Sequence, residues 1–245
     1  MKDHRAGAVA IHVCADVETT GLHRSWPPPF AARDTLERAQ RICAFAGIAD
    51  QRTLAGDHAT AAALHASLAD AAAMLRDDGL LVVSFAGHTE RGDGPIEAAR
   101  WCLVGGGATL AQLADDLARL PRAARLLIIA DTCYAAAIAA VLRGPQPAVV
   151  IAGCGEDQTM IQRMPSEFVA RLENFVCAAA RIETTTAAGT EAGTAAGTEA
   201  GTEAGTEAGT DALREALEAD TPDCERPVVW TNAASSWCGR LLVRG

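Results

Sequence analysis

Three short runs of the chain, Leu80–Phe85 (LLVVSF), Leu126–Ala130 (LLIIA) and Ala148–Ala152 (AVVIA), are apolar at nearly every position instead of every second one. A strand that alternates can leave one face in water, but a strand apolar on both faces must be covered on both. Strands of this kind belong to sheets sandwiched between helix layers. Residues 33–47, 57–79, 109–120 and 166–182 have apolar positions at helical spacing, and the first two end on a glycine suited to stop a helix. Strands over 6–15, 80–86, 125–133 and 147–154, with an apolar helix or turn at 134–142, complete an alternating order. The expected class is α/β: a three-layer α-β-α sandwich around a mostly parallel sheet.

With 245 residues, 49% of them hydrophobic, the chain can bury one sizeable core, and with only 4% aromatics that core is aliphatic. A formal net charge of −10 argues against a nucleic-acid partner, which would call for a basic face. No apolar run is long enough to cross a bilayer, and the N-terminus lacks the pattern of an export signal, so no membrane partner is expected. The eight cysteines (14, 43, 102, 133, 154, 177, 224 and 238) include no CxxC pair and no zinc-finger spacing. The expected setting is reducing and cytoplasmic.

From Ala187 to Thr210 the chain repeats AGTE or AGTA every four residues. Its glycines penalise helix and it holds nothing to bury, so a flexible linker is expected over 187–210. That divides a large part, 1–186, from a C-terminal piece, 211–245, expected to complete the same fold with a helix at 211–219, a strand at 226–231 and Gly239–Val243 packed behind it.

In open parallel sheets, ligands and catalytic groups gather at the carboxyl ends of the strands. Gly87-His88 follows one apolar strand and Asp131-Thr132-Cys133 ends another. A lone histidine at a strand end is ordinarily a satisfied core or surface residue. A thiol delivered to the same edge gives it a purpose, because an imidazole can accept the thiol proton or stabilise the thiolate. Gly105-Gly106-Gly107 lacks the lysine of a phosphate loop and reads as the turn after a short strand at Trp101–Val104. Cys154 reads as core or pocket wall, and Trp230 and Trp237 as residues that cap the core or line a groove.

On these residues the chain resembles the caspase–metacaspase family of cysteine peptidases, in its bacterial metacaspase-like branch. LLVVSFAGH is similar to the family's strand ending in Ser-Gly-His, and RLLIIADTCYAA to its strand ending in Asp-Ser-Cys. TLAGDHAT and VVIAGCGEDQT resemble the segments before the histidine strand and after the cysteine. His88 also keeps the family's distance of roughly 50 residues upstream of its cysteine. The resemblance implies a caspase-like fold and an endopeptidase with Cys133 as nucleophile and His88 as general acid/base. The backbone N–H groups of Cys133 and Thr89 would hold the oxyanion, with Thr89 standing where the family usually has glycine.

The same resemblance implies a pocket for an arginine or lysine side chain, formed by Asp131, by Asp34 near the start of the first helix, and by Ala86 where the family often has serine. Asp34 can also be read as a helix N-cap, and Asp131 as a strand-end turn residue. Tyr134-Ala135-Ala136 departs from the family's polar-small-glycine sequence. No cofactor and no metal ion is called for; Glu156 and Asp157 are acidic like the calcium contacts of some metacaspases, but calcium takes six to eight oxygens. The partner implied is a protein or peptide substrate, with any regulatory partner or activating ligand unnamed, and fold-level analogy adds a bacterial stress or antiphage setting. Arg181 and Arg214 flank the repeat as candidate self-processing sites, although an uncut chain is expected. Two other readings compete: a catalytically silent adaptor or ligand-gated partner protein, which has no need of both Cys133 and His88, and another thiol enzyme on a flavodoxin-like sheet.

Overall fold

The computed structural model describes residues 6–15, 30–159, 167–190, 204–218 and 227–232; for 30–31, 179–190 and 204–210 only the backbone is considered. In chain order the elements are β1 (Ala6–Cys14), α1 (Phe30–Phe45), β2 (Asp50–Ala55), α2 (Ala61–Met74), β3 (Leu75–Ala86), β4 (Thr89–Glu90), β5 (Arg100–Leu103) and β6 (Gly106–Thr109). They continue with α3 (Leu110–Leu117), β7 (Arg125–Asp131), α4 (Ala137–Val141), β8 (Ala148–Ala152), α5 (Glu167–Thr190), α6 (Ala204–Glu218) and β9 (Val228–Thr231).

Six strands form the central sheet in the order β2-β1-β3-β7-β8-β9. Every pairing is parallel except the last, in which β9 runs antiparallel to β8. Leu80–Ala86 of β3, Leu126–Asp131 of β7 and all of β8 are buried at every residue, hence on both faces. This is the coverage that the unbroken apolar runs demand. On one side α1 packs against α5 and α5 against α6; on the other, α2 packs against α3 and α3 against α4. The result is a mixed α/β sandwich of three layers.

Local chemistry sets the helix ends. The Thr60 hydroxyl accepts the Ala63 N–H at 3.1 Å and starts α2, and Thr109 with Gln112 forms a reciprocal capping box on α3. Gly47, at φ +74°, lets the chain leave α1 while Ile48 N–H returns to Cys43 O at 2.9 Å.

Several boundaries differ from the sequence reading. The helix expected over 57–79 occupies only Ala61–Met74, because Leu75 is drawn into the sheet and buried. The register of β3 on β1 then jumps from Ala6↔Leu75 to Ala8↔Leu80, and Arg76–Gly79 form the irregularity. β2 is an unexpected strand, half-exposed at the sheet edge and paired along β1 from Val9↔Asp50 to Cys14↔Ala55. The repeat is not linker at its ends: α5 runs on to Thr190 and α6 begins at Ala204. Alanine is the best helix former, and an isolated glycine costs only about 1 kcal/mol against it. Residues 191–203, Gly239–Val243 and Trp237 lie outside the described residues.

A second sheet, β4-β5-β6, is an antiparallel meander that starts just after His88. Its β5–β6 hairpin turns at Val104-Gly105, with Gly105 at φ +74° and Gly106 at φ +147°, which accounts for the glycine run. Trp101 of β5 stacks on Phe85 of β3 with ring centroids 4.2 Å apart, so the meander is bolted to the core. Among the described residues no helix is long and apolar enough to cross a membrane.

Candidate active site

At the carboxyl edge, Cys14, Ala86 and Asp131 are register partners across β1, β3 and β7. Just beyond them Gly87 passes very close to β1. A Cβ on Gly87 would stand 2.8 Å from Ala15 O and 3.0 Å from the Phe85 ring, so any larger residue would force its surroundings to shift. His88 comes next, with its carbonyl accepting the Cys102 N–H at 2.8 Å. The strand end and the meander thus hold the histidine backbone from two sides.

Cys133 follows β7 in a tight turn. Tyr134 has φ +54°, the left-handed region that a non-glycine residue occupies only at a cost, and Asn, Asp or Gly would be its usual occupants. The turn is held by Tyr134 N–H to Gln158 O at 2.8 Å and Ala136 N–H to Cys154 O at 3.1 Å. Thr89 and Thr132, both buried, share a hydroxyl–hydroxyl hydrogen bond of 2.9 Å. One pocket of about 360 Å³ has His88, Thr89, Arg91, Cys133, Tyr134 and Thr159 on its lining. Cys133 is only 3% exposed.

The structure therefore unites His88, Thr89 and Cys133. Asp131, Asp34 and Ala86 are not on that lining. Asp131 is buried at the end of β7 and accepts a hydrogen bond at Oδ2 from the hydroxyl of Thr35 on α1. Asp34, one residue earlier and rotated about 100° around the helix, pairs with Arg38 Nε at 2.8 Å. It lies inside α1, not at its start, so it is no N-cap. Arg38 and Arg41 both reach Glu173 on α5, which holds the Glu173 carboxyl below its ordinary range. Ala86 is buried with Cys14 and Ala32 in a small cluster under α1.

The loop after β8 closes the pocket's far rim. Arg91 donates to Glu156 O at 2.7 Å and lies over the Tyr134 ring, 5.9 Å from its centroid. Gly155 N–H donates to Gln158 Oε1, so the acidic stretch at 155–158 is an internally bonded turn with Glu156 and Asp157 pointing outward. Cys154 is core: its thiol lies 3.3 Å from Thr132 O, and burial pushes its pKa up to about 11. Burial also raises Cys102 to about 11 and Cys43 to about 12, so neither is a ready nucleophile.

Sequence reasoning missed Thr35, Thr132, Arg91 and the buried polar line Gln51–His12–Ser84. His12, in the middle of β1, bonds Ser84 Oγ at 2.8 Å and Gln51 Oε1 at 3.0 Å. The signal was present in His12 itself, a histidine inside an apolar strand, but its partners come from two other strands.

No protein-family model matches the sequence, and no curated protein matches it. Solved structures do. Protein GSU0716 from Geobacter sulfurreducens is similar with a TM-score of 0.63 at 17% identity, over 94% of this chain and 96% of its own. Caspase-1 from Spodoptera frugiperda is similar with a TM-score of 0.50 at 14% identity, over 94% of this chain and 88% of its own. The fold is caspase-like. At such identities the likeness establishes the fold and leaves activity to the site itself.

Proposed function

We propose that the protein is a caspase-like cysteine endopeptidase that works through Cys133 and His88 and cleaves after arginine or lysine. The observation that carries this reading is the single pocket lined by both side chains, each delivered by the end of a neighbouring parallel strand. Cys133 Sγ attacks the scissile carbonyl carbon while its proton passes to His88. The imidazolium protonates the leaving amine as the C–N bond breaks, leaving an acyl thioester. His88 then takes a proton from water, whose oxygen attacks the thioester and releases the acid and the thiol.

The oxyanion needs donors already in place. The ladder bond from Cys102 N–H to His88 O makes Thr89–Trp101 a non-hydrogen-bonded pair, so the Thr89 N–H is not spent on the sheet. Thr89 and Cys133 both line the pocket, and their backbone N–H groups would face the oxyanion there. Threonine in place of glycine keeps that donor.

For specificity, the buried Asp131, two residues before Cys133, would supply the carboxylate that a guanidinium or ammonium matches. Asp34 would contribute by exchanging Arg38 for the substrate cation, and Ala86 would leave room beside them. The competing adaptor reading draws on one observation, the low exposure of Cys133. Labelling with a peptidyl electrophile decides between them. Wild type should be modified at Cys133 and should cleave basic peptides, whereas Cys133→Ala should lose several orders of magnitude in rate and all labelling. An unlabelled, inactive wild type defeats the enzyme reading.

A further inference from the structure

We propose that His88, Glu90 and Cys102 form a binding site for a zinc ion, and that occupancy of this site switches the pocket off. The inhibitory half rests on the peptidase reading; the binding half does not.

The site follows from strand geometry. His88 and Glu90 are two residues apart on an extended segment and share a face. Cys102 lies directly across from His88, tied to it by the 2.8 Å bond from Cys102 N–H to His88 O. One ligand atom from each of the three lies within 4.8 Å of the other two, and among the described residues this is the one such group. A tetrahedral zinc ion with bonds of about 2.0 to 2.3 Å holds its ligands about 3.3 to 3.8 Å apart, so side-chain adjustment of around 1 to 1.5 Å closes the set. An imidazole, a carboxylate and a thiolate are a zinc combination. Calcium and magnesium would require oxygens.

The neighbouring charges are compatible. Arg100 on β5 donates to Glu90 Oε2 from both Nε and Nη2, at 2.8 and 2.5 Å. A monodentate metal bond through Oε1 leaves that pair intact. The thiol of Cys102 is pushed up to about 11 by burial and then by the Glu90 carboxylate. A thiol gives up its proton when it ligates zinc. Three protein ligands leave a fourth position, and His88 and Glu90 both line the pocket. An imidazole nitrogen committed to zinc can neither accept the Cys133 proton nor protonate a leaving amine.

The test uses the full chain with Zn²⁺, and Co²⁺ as its spectroscopic stand-in. Expected are one bound ion, a thiolate-to-cobalt charge-transfer band that survives in Cys133→Ala, and loss of that band in Cys102→Ser. Loss of a metal's outer partner alone costs about 10- to 100-fold in affinity, so Cys102→Ser and Glu90→Gln should each weaken zinc by at least that much. Cys102→Ala serves if the serine variant fails to fold. Zinc should inhibit peptide cleavage, a chelator should restore it, and Cys102→Ser should keep basal cleavage while needing at least tenfold more zinc. No binding, activation by zinc, or a cobalt band lost in Cys133→Ala but kept in Cys102→Ser would each overturn the proposal. A chain that binds zinc through Cys102 and cleaves nothing sinks the peptidase reading and the inhibition, and leaves the site standing.

Discussion

Thr89 and Thr132 join their hydroxyls across a 2.9 Å hydrogen bond, and each is the immediate neighbour of one member of the candidate dyad. The bond ties the strand end that carries His88 to the one that carries Cys133, in a buried place where neither hydroxyl can turn to water. Thr132→Val keeps the shape and removes one partner, stranding the other hydroxyl. It should cost about 1–3 kcal/mol in stability, whereas replacing both threonines by valine should cost less than the sum. Because these are positioning residues, kcat should fall while KM changes little. Unchanged kcat in the folded single variant would contradict this role.

Gly87→Ala tests the close approach to β1. The added methyl meets the Ala15 carbonyl oxygen, which belongs to the backbone and has little room to move. Stability should drop by about 1–3 kcal/mol, as for other overpacked sites. Cleavage should fall further than stability, since His88 is the next residue. Denaturant melts and peptide kinetics on one preparation measure both.

His12 predicts an acid-labile fold. Burial lowers its pKa from 6.5, with the bond to Gln51 opposing. The folded chain therefore disfavours the imidazolium, and below pH 6.5 the unfolded chain binds the extra proton. This contribution is complete above about pH 6.5 and is lost as pH falls beneath it. Urea melts at pH 7.5 and pH 5.5 should show a loss in wild type that is smaller in His12→Gln; equal losses would refute the assignment.

Asp131→Asn tests the basic preference. The amide retains an oxygen for the Thr35 hydroxyl and removes the charge, so the fold should persist while cleavage after arginine falls tenfold or more relative to cleavage after glutamine. A wild-type library profile dominated by aspartate or leucine would eliminate the basic pocket and leave the dyad untouched.

The central strands were legible from the sequence because burial on both faces writes an unbroken apolar run, as in β3, β7 and β8. A strand that ends in Gly-His and another that ends in Asp-Thr-Cys also placed His88 and Cys133 at one edge, since parallel strands share a direction. Helix ends at Gly47 and Thr109 were readable for a similar reason: capping is decided within four residues. What lay beyond local pattern was decided by tertiary contact. β2 has the half-polar sequence DQRTLA and becomes a strand because β1 offers it a free edge. Arg76–Gly79 leave the expected helix because Leu75 finds more burial in the sheet. Asp131 meets Thr35 and not Asp34 because the rotation of α1 on the sheet chooses which of two adjacent side chains faces inward. His88, Glu90 and Cys102 converge only once β4 and β5 are in register. A sequence records the polarity each residue requires along its own element, whereas partners drawn from separate elements exist only after packing sets the angle and register between them.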